Sequence, residues 1–157
     1  MMKTDGRLAR MLHVLVHMGL LDGRETSERI ALMLNTNPVV VRRTLGALRD
    51  HGIVESEGGR GGGWKLTRSL DQVTVLDVQR ALTAGTILTT PVSRDHPSCP
   101  VERAANSVLE EAYAAAEKQL IAKYGVTTLA QIAEHAKARR WQRPRRETDS
   151  GHNDDGA

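Results

Sequence analysis

Six residues, Gly58-Gly59-Arg60-Gly61-Gly62-Gly63, hold five glycines and separate two short runs, Ile53-Val54-Glu55-Ser56 and Trp64-Lys65-Leu66-Thr67. Glycine inside a helix costs about 1 kcal/mol relative to alanine, so no helix crosses this stretch. Two strand-length segments joined by a flexible turn fold back on each other as an antiparallel hairpin. The remaining periodic segments all read as helices. The expected fold class is therefore mainly α with one small β-hairpin.

Three helices lead into the hairpin. Leu8, Met11, Leu12, Leu15 and Met18 recur at helical spacing and predict a first helix from Gly6 to Met18, ended by Gly19 and Asp22-Gly23. Thr26 or Ser27 caps a short second helix, with Glu28 in its first turn and Ile30, Ala31 and Leu34 facing inward. Asn37-Pro38 is a stronger start signal: asparagine accepts from exposed N–H groups, and proline at the first helical position has no N–H to lose. The third helix runs to about His51 on an inward stripe of Val41, Leu45 and Leu48, and Gly52 stops it. Helix, helix–turn–helix and hairpin in this order make a winged helix–turn–helix, in which the second helix braces a third whose outer face is free to enter a major groove.

After the hairpin, Val75–Leu82 predicts a helix begun by Thr74. Residues 85–100, with Gly85, Pro91, Pro97 and Pro100, predict a mobile loop. A long helix from Pro100 to about Tyr124 follows, then one from Thr128 to Arg140 with Leu129, Ile132, Ala133 and Ala136 as its apolar stripe. The division drawn from this is 1–84 as a DNA-binding unit, 85–100 as a sensor-type loop and 101–140 as dimerisation helices. The polar stretch 141–157 reads as a disordered tail.

Charge is segregated along the chain. Residues 1–68 carry a net +4, residues 69–136 a net −3, residues 137–146 six bases and no acid, and residues 147–157 four acids and no base. The total of +3 comes mostly from that late basic stretch, which is either a non-specific nucleic-acid clamp or a solvated tail. No apolar run approaches the roughly 18 residues of a membrane span. The N-terminal MMKTDGRLARML lacks the apolar stretch of a secretory signal, and one cysteine forms no intrachain disulfide. The expected location is the cytoplasm.

The outer face of the third helix carries the candidate contacts. Recognition helices read bases through their first two turns, here Asn37, Val39, Val40, Arg42 and Arg43, with Thr36 and Pro38 at the helix entry. Arginine donates two hydrogen bonds to guanine O6 and N7, and valine packs on a thymine methyl. Gly46 removes bulk where the helix passes a DNA backbone or its bracing helix. Arg49, Lys65 and Arg68 are candidates for phosphates. The competing reading is a solvated basic face on an ordinary bundle helix.

The glycine turn is no phosphate loop, because Gly63 is followed by Trp64-Lys65 where that motif needs Lys and Ser or Thr, and it opens a strand where that motif opens a helix. As a wing it lets Arg60, Gly61 and Gly62 approach a sugar-phosphate wall, with Arg60 in the minor groove. A plain surface turn is the alternative. Trp64 anchors the wing in this reading; four Trp and Tyr residues are too few for a single-strand stacking platform.

On the long helix, Val101, Ala105, Val108, Ala112 and Ala115 repeat at 4-3-4-3 spacing, a heptad seam of small residues. Leu109, Ala116 and Leu120 make a second stripe beside it. A helix apolar on two faces needs two partners, and a homodimer supplies the second economically; burial of a wide stripe in a monomer core is the alternative. The six histidines make no metal-ligand pattern, and His13 and His17 at i, i+4 have no third ligand nearby. No acid–base pair, nucleophile triad or cofactor motif appears, so the chain is not expected to be an enzyme.

The run SERIALMLNTNPVVVRRTLGALRDHGIVESEGGRGGGWKLTR, with VTVLDVQRAL and then CPVE heading a long helix, resembles the Rrf2 family of bacterial winged-helix regulators over residues 6–135. The resemblance implies a cytoplasmic homodimer on a palindromic operator in double-stranded DNA, dimerised through the long helix. Its cluster-binding members hold an iron–sulfur centre through three cysteines in the loop before that helix. Only Cys99 stands there in this chain, so neither a cofactor nor a bound metal is expected. Cys99 is either an ordinary loop thiol or a redox sensor, with His96 three residues away. The function expected is a DNA-binding regulator, a repressor, of unspecified effector. A winged-helix protein–protein adaptor and a thiol-based redox regulator are the alternatives.

Overall fold

Met11, Val14, Leu15 and Met18 are all buried on one face of α1 (Arg7–Leu21). The computed structural model, which describes residues 6–60 and 62–141, carries this helix through Gly19 to Leu21 instead of ending it at Met18. Gly19 serves contact instead of termination: a Cβ there would stand 2.5 Å from Leu70 Cγ. The stop falls at Asp22, which takes the left-handed conformation at φ 44°.

Capping follows the sequence signals closely. Thr26 accepts from the Arg29 N–H to open α2 (Ser27–Leu34), and Asn37 accepts from the Val40 N–H to open α3 (Pro38–Asp50). Val41, Leu45 and Leu48 are each at most 1% exposed, so the inward stripe of α3 is fully sealed. Gly46 meets nothing within 4 Å, so it does not serve the bracing helix.

The hairpin is β1 (Val54–Glu57) against β2 (Gly63–Leu66), antiparallel, each shifted by one residue from the expected runs. A third, one-residue rung escaped the sequence. Glu25 and Trp64 exchange backbone hydrogen bonds of 2.9 Å in both directions, laying the α1–α2 connection along the free edge of β2. Gly63 permits that approach: at φ 147° its missing Cβ would lie 2.8 Å from the Glu25 carbonyl oxygen. The Trp64 indole is buried and donates to Ser27 Oγ at 2.9 Å.

Beyond the hairpin, a 3-10 turn (Leu70–Gln72) leads into α4 (Val75–Leu82), which starts with a reciprocal capping box between Thr74 and Asp77. The proline-rich stretch before α5 (Pro100–Val126) has no regular secondary structure, yet it is fastened along that helix. Ile87 and Leu88 donate backbone N–H groups to Glu117, His96 donates to Glu102 at 2.8 Å, and Ser93 and Asn106 exchange two bonds of 3.0 and 2.8 Å. At the far end of α5, Val75 N–H donates to Thr127 O and Leu129 N–H donates to Val73 O, both at 2.9 Å. These bonds return α6 (Leu129–Trp141) to the body, where Leu129 and Ala133 enter the same core as α1, Ile30 and Leu45. The core thus spans the boundary that the sequence suggests near residue 84. Of the tail read at 141–157, Trp141 instead ends α6, and the rest lies outside the described residues.

Two outcomes follow. Ser27→Ala strands a buried indole N–H and is expected to cost about 1–3 kcal/mol in urea unfolding, with an unchanged denaturant slope. Across the hairpin, Lys65 Nζ lies 2.7 Å from Glu55 Oε1, and this hydrogen bond holds the Glu55 carboxyl below its ordinary value of 4.5. A depressed carboxyl stabilises the fold above its unfolded pKa and loses that contribution as pH falls through the folded one. The Glu55 carboxyl carbon should therefore titrate by NMR below 4.5, and Lys65→Met should move its midpoint upward.

Candidate nucleic-acid interface

The exposed side of α3 is set by its own seal. With Val41, Leu45 and Leu48 buried, the intervening residues have to face out. Val39 is 60% and Val40 43% exposed, and Arg42, Arg43 and Arg49 are exposed beside them. Two adjacent apolar side chains left in water at a helix entry, with arginines one turn on, make a surface suited to base edges and methyls. Thr36 and Pro38 are half-buried; the Thr36 N–H donates to Ala31 O at 2.9 Å, so it holds the turn between α2 and α3.

The arginines are not equivalent. Arg42 Nη2 donates to Glu28 Oε1 of α2 at 2.7 Å, both groups more than half exposed. Arg49 lies 3.5 Å from Asp50, a looser pair. Arg43 has no ion-pair partner among the described residues and projects its full charge. Glu28 escaped the sequence reading as a site residue, because only the packing of α2 on α3 brings it to Arg42.

The wing contributes Arg60, exposed at the turn, while Gly61 lies outside the described residues. Gly62 is half-buried, and a Cβ there would overlap the Glu57 carbonyl, so it shapes the turn more than it offers surface. Lys65 is engaged by Glu55. Arg68 turns partly inward, reaching Gln72 O at 3.5 Å with its Nε buried. Arg24, missed in the sequence, clasps Glu57 at the end of β1 at 2.6 Å.

The seam of α5 is wholly exposed within the chain. Val101 is 76% and Val108 67% exposed, Ala105, Ala112 and Ala115 are exposed too, and no described residue of this 27-residue helix is buried. The second stripe finds little cover at home: Leu109 and Ala116 are exposed, and only Leu120 is half-buried. Cys99 sits half-buried at the head of α5, its N–H donating to His96 O at 2.9 Å.

Other chemistries find little to rest on. Among the described residues no three His, Cys, Asp or Glu side chains converge to hold a metal, and the chain's one thiol does not match a three-cysteine cluster site. His13 and His17 stack edge-on at 4.8 Å between ring centroids, a pairing with no further ligand. No described helix is long and apolar enough to cross a membrane.

Comparison with known proteins places this geometry. Residues 4–135 match the Rrf2 family, described as iron-dependent transcriptional regulators. YwnA of Bacillus subtilis, an HTH-type transcriptional regulator by name, is 29% identical over 131 residues, covering 83% of this chain and 97% of its own. The structure resembles CymR, the global cysteine regulator of B. subtilis, with a TM-score of 0.62 at 22% identity over 86% of this chain and 98% of that one. It also resembles IscR of T. potens, with a TM-score of 0.61 at 20% identity over 91% and 94% of the two chains. These two structural likenesses speak for the fold alone. The helix–turn–helix with its glycine wing, and a family match over most of the length, lead to one conclusion: this chain belongs to the Rrf2 family of transcriptional regulators, not to an enzyme family.

Proposed function

We propose that this regulator is a homodimeric repressor that binds a palindromic operator, with α3 in the major groove and the wing in the minor groove of each half-site. It acts in the cytoplasm. The observation that carries the reading is the entry of α3, where Val39, Val40 and Arg43 stand exposed on a helix whose other face is sealed. Arg43 is the arginine free to bond a base; Arg42 must first leave Glu28 or bring it along. Arg49 and Lys65 serve phosphates and Arg60 the minor groove, while Arg68, turned inward toward Gln72, is held back from that surface. Residues 1–84 read DNA and 101–140 dimerise.

The dimer reading rests on α5, whose Val101, Ala105, Val108, Ala112 and Ala115 seam is left uncovered by its own chain. Small seam residues allow two such helices to approach closely, and a two-fold axis through them supplies two reading heads. A thiol-sensing role for Cys99 has one supporting observation: it sits where the fastened loop meets the head of α5. If Cys99→Ser leaves the response of DNA affinity to diamide unchanged, that role is removed.

Selection of bound DNA from a random library, then a salt titration of the winner, tests the whole reading. A consensus with two inverted halves and a steep loss of affinity with salt are expected. A winged-helix adaptor would yield no consensus and a flat salt profile. On the selected site Arg43→Ala should cost about 1–3 kcal/mol and relax preference at one base pair. Glu28→Gln removes the internal competitor of Arg42 and should tighten binding about two- to fivefold, the range of an exposed ion pair. Val108→Asp places two like charges across the seam and should shift the chain to monomer in sedimentation.

A further inference from the structure

Beside the wing lies a cavity of about 690 Å³, between the end of α1 and the strand β2 with the residues that follow it. Its size falls in the range of small-molecule sites, roughly 300–1,000 Å³. Met18, Leu66 and Leu70 line it with apolar surface, Asp22 is an exposed acid in the lining, and Arg24, Arg68 and Lys65 are its cations, the last engaged by Glu55.

Those two arginines are unusually placed. Arg24 uses Nη2 on Glu57, but its Nη1 is buried without an acceptor. Arg68 makes a single long bond of 3.5 Å from Nη1 to Gln72 O, and its Nε is buried without an acceptor. A buried N–H left without an acceptor is costly, and the two side chains that carry these groups line the same cavity. With a small turn of the two side chains one oxyanion in the cavity gives both N–H groups an acceptor, since carboxylate and phosphate oxygens accept from several guanidinium N–H groups at once.

We infer that this cavity binds a small organic oxyanion, a carboxylate or phosphate headgroup on a compact apolar body, through Arg24 and Arg68. The site couples to the wing through Arg24. Its other nitrogen holds Glu57, the last residue of β1 before the glycine turn, and its neighbour Glu25 carries the backbone rung to Trp64. An anion that draws Arg24 inward loosens Glu57 and alters how the turn is presented. The ligand site stands independently of the DNA reading; the coupling rests on it.

The test uses the full chain without DNA, titrated with inorganic phosphate and with citrate at constant ionic strength, and followed by thermal unfolding. A saturable rise of roughly 3 °C or more is expected at tenfold excess over the dissociation constant. Arg68→Gln and Arg24→Gln should lose the rise, and Lys118→Gln on α5 should keep it. Should Arg24→Gln fail to fold, Arg68→Lys, which keeps the charge and lacks the Nε donor, still has to weaken it. No saturable rise with either anion, or an equal rise in the Arg68 variants, overturns the site. If instead Arg68→Gln only lowers affinity for random DNA and shrinks the salt slope by about one, the cavity serves a backbone phosphate and the inference falls. With the site confirmed, the occupied chain should change its affinity for the selected DNA at least threefold; an unchanged affinity overturns the coupling alone.

Discussion

The backbone exchange between Glu25 and Trp64 is what the functional half of the molecule depends on. Without it the five-residue connection between α1 and α2, residues 22–26, would leave the second edge of β2 unpaired, and a two-stranded hairpin is marginal by its own pairing. The two 2.9 Å bonds add a one-residue rung to the second edge of β2, and the Trp64 indole, bonded to Ser27, pins that edge to the start of α2. The same α2 packs on α3. One tryptophan therefore fixes the hairpin relative to α3, and the two elements proposed to face DNA share a common frame.

Electrostatics near that frame is more self-contained than the charge count suggests. Of the basic residues in the winged half, Arg24, Arg42 and Lys65 each lie within 2.7 Å of a carboxylate of the same unit. Exposed pairs of this kind contribute little to stability. Their effect is to lower the field that random DNA would feel, while leaving Arg43 and the valines at the α3 entry undiminished. The net +4 of residues 1–68 therefore overstates the charge that this unit leaves unpaired.

What the sequence made legible was local. Asn37-Pro38, Thr26 and Thr74 are caps whose hydrogen bonds span three residues, so each helix start could be read directly. Stripes such as Val41, Leu45 and Leu48 gave the buried face of α3, and the family resemblance followed from the same segment. Apart from one-residue shifts of the strand ends, the misreadings were set by contacts with other elements. Gly19 looked like a stop because Leu70, the side chain that occupies its missing Cβ, is fifty-one residues away in sequence. Glu25, Glu28 and Arg24 matter through partners on other elements, and no periodicity marks them. Likewise the return of Leu129 and Ala133 to the core required knowing where α5 ends in space, which spacing along a helix does not encode.

That return has a mechanical consequence. The far end of α5 is stitched to the winged half by Val75–Thr127 and Leu129–Val73 bonds, and the rest of the helix, about 40 Å long at 1.5 Å per residue, extends from that anchor. In a dimer built on it, α5 is a rigid ruler with one graduated edge. The separation of the two reading heads is then set by where along the ruler the partners cross. Small changes among seam alanines can slide that crossing point without touching α3 or the wing, so operator spacing and base preference are free to evolve as separate dials.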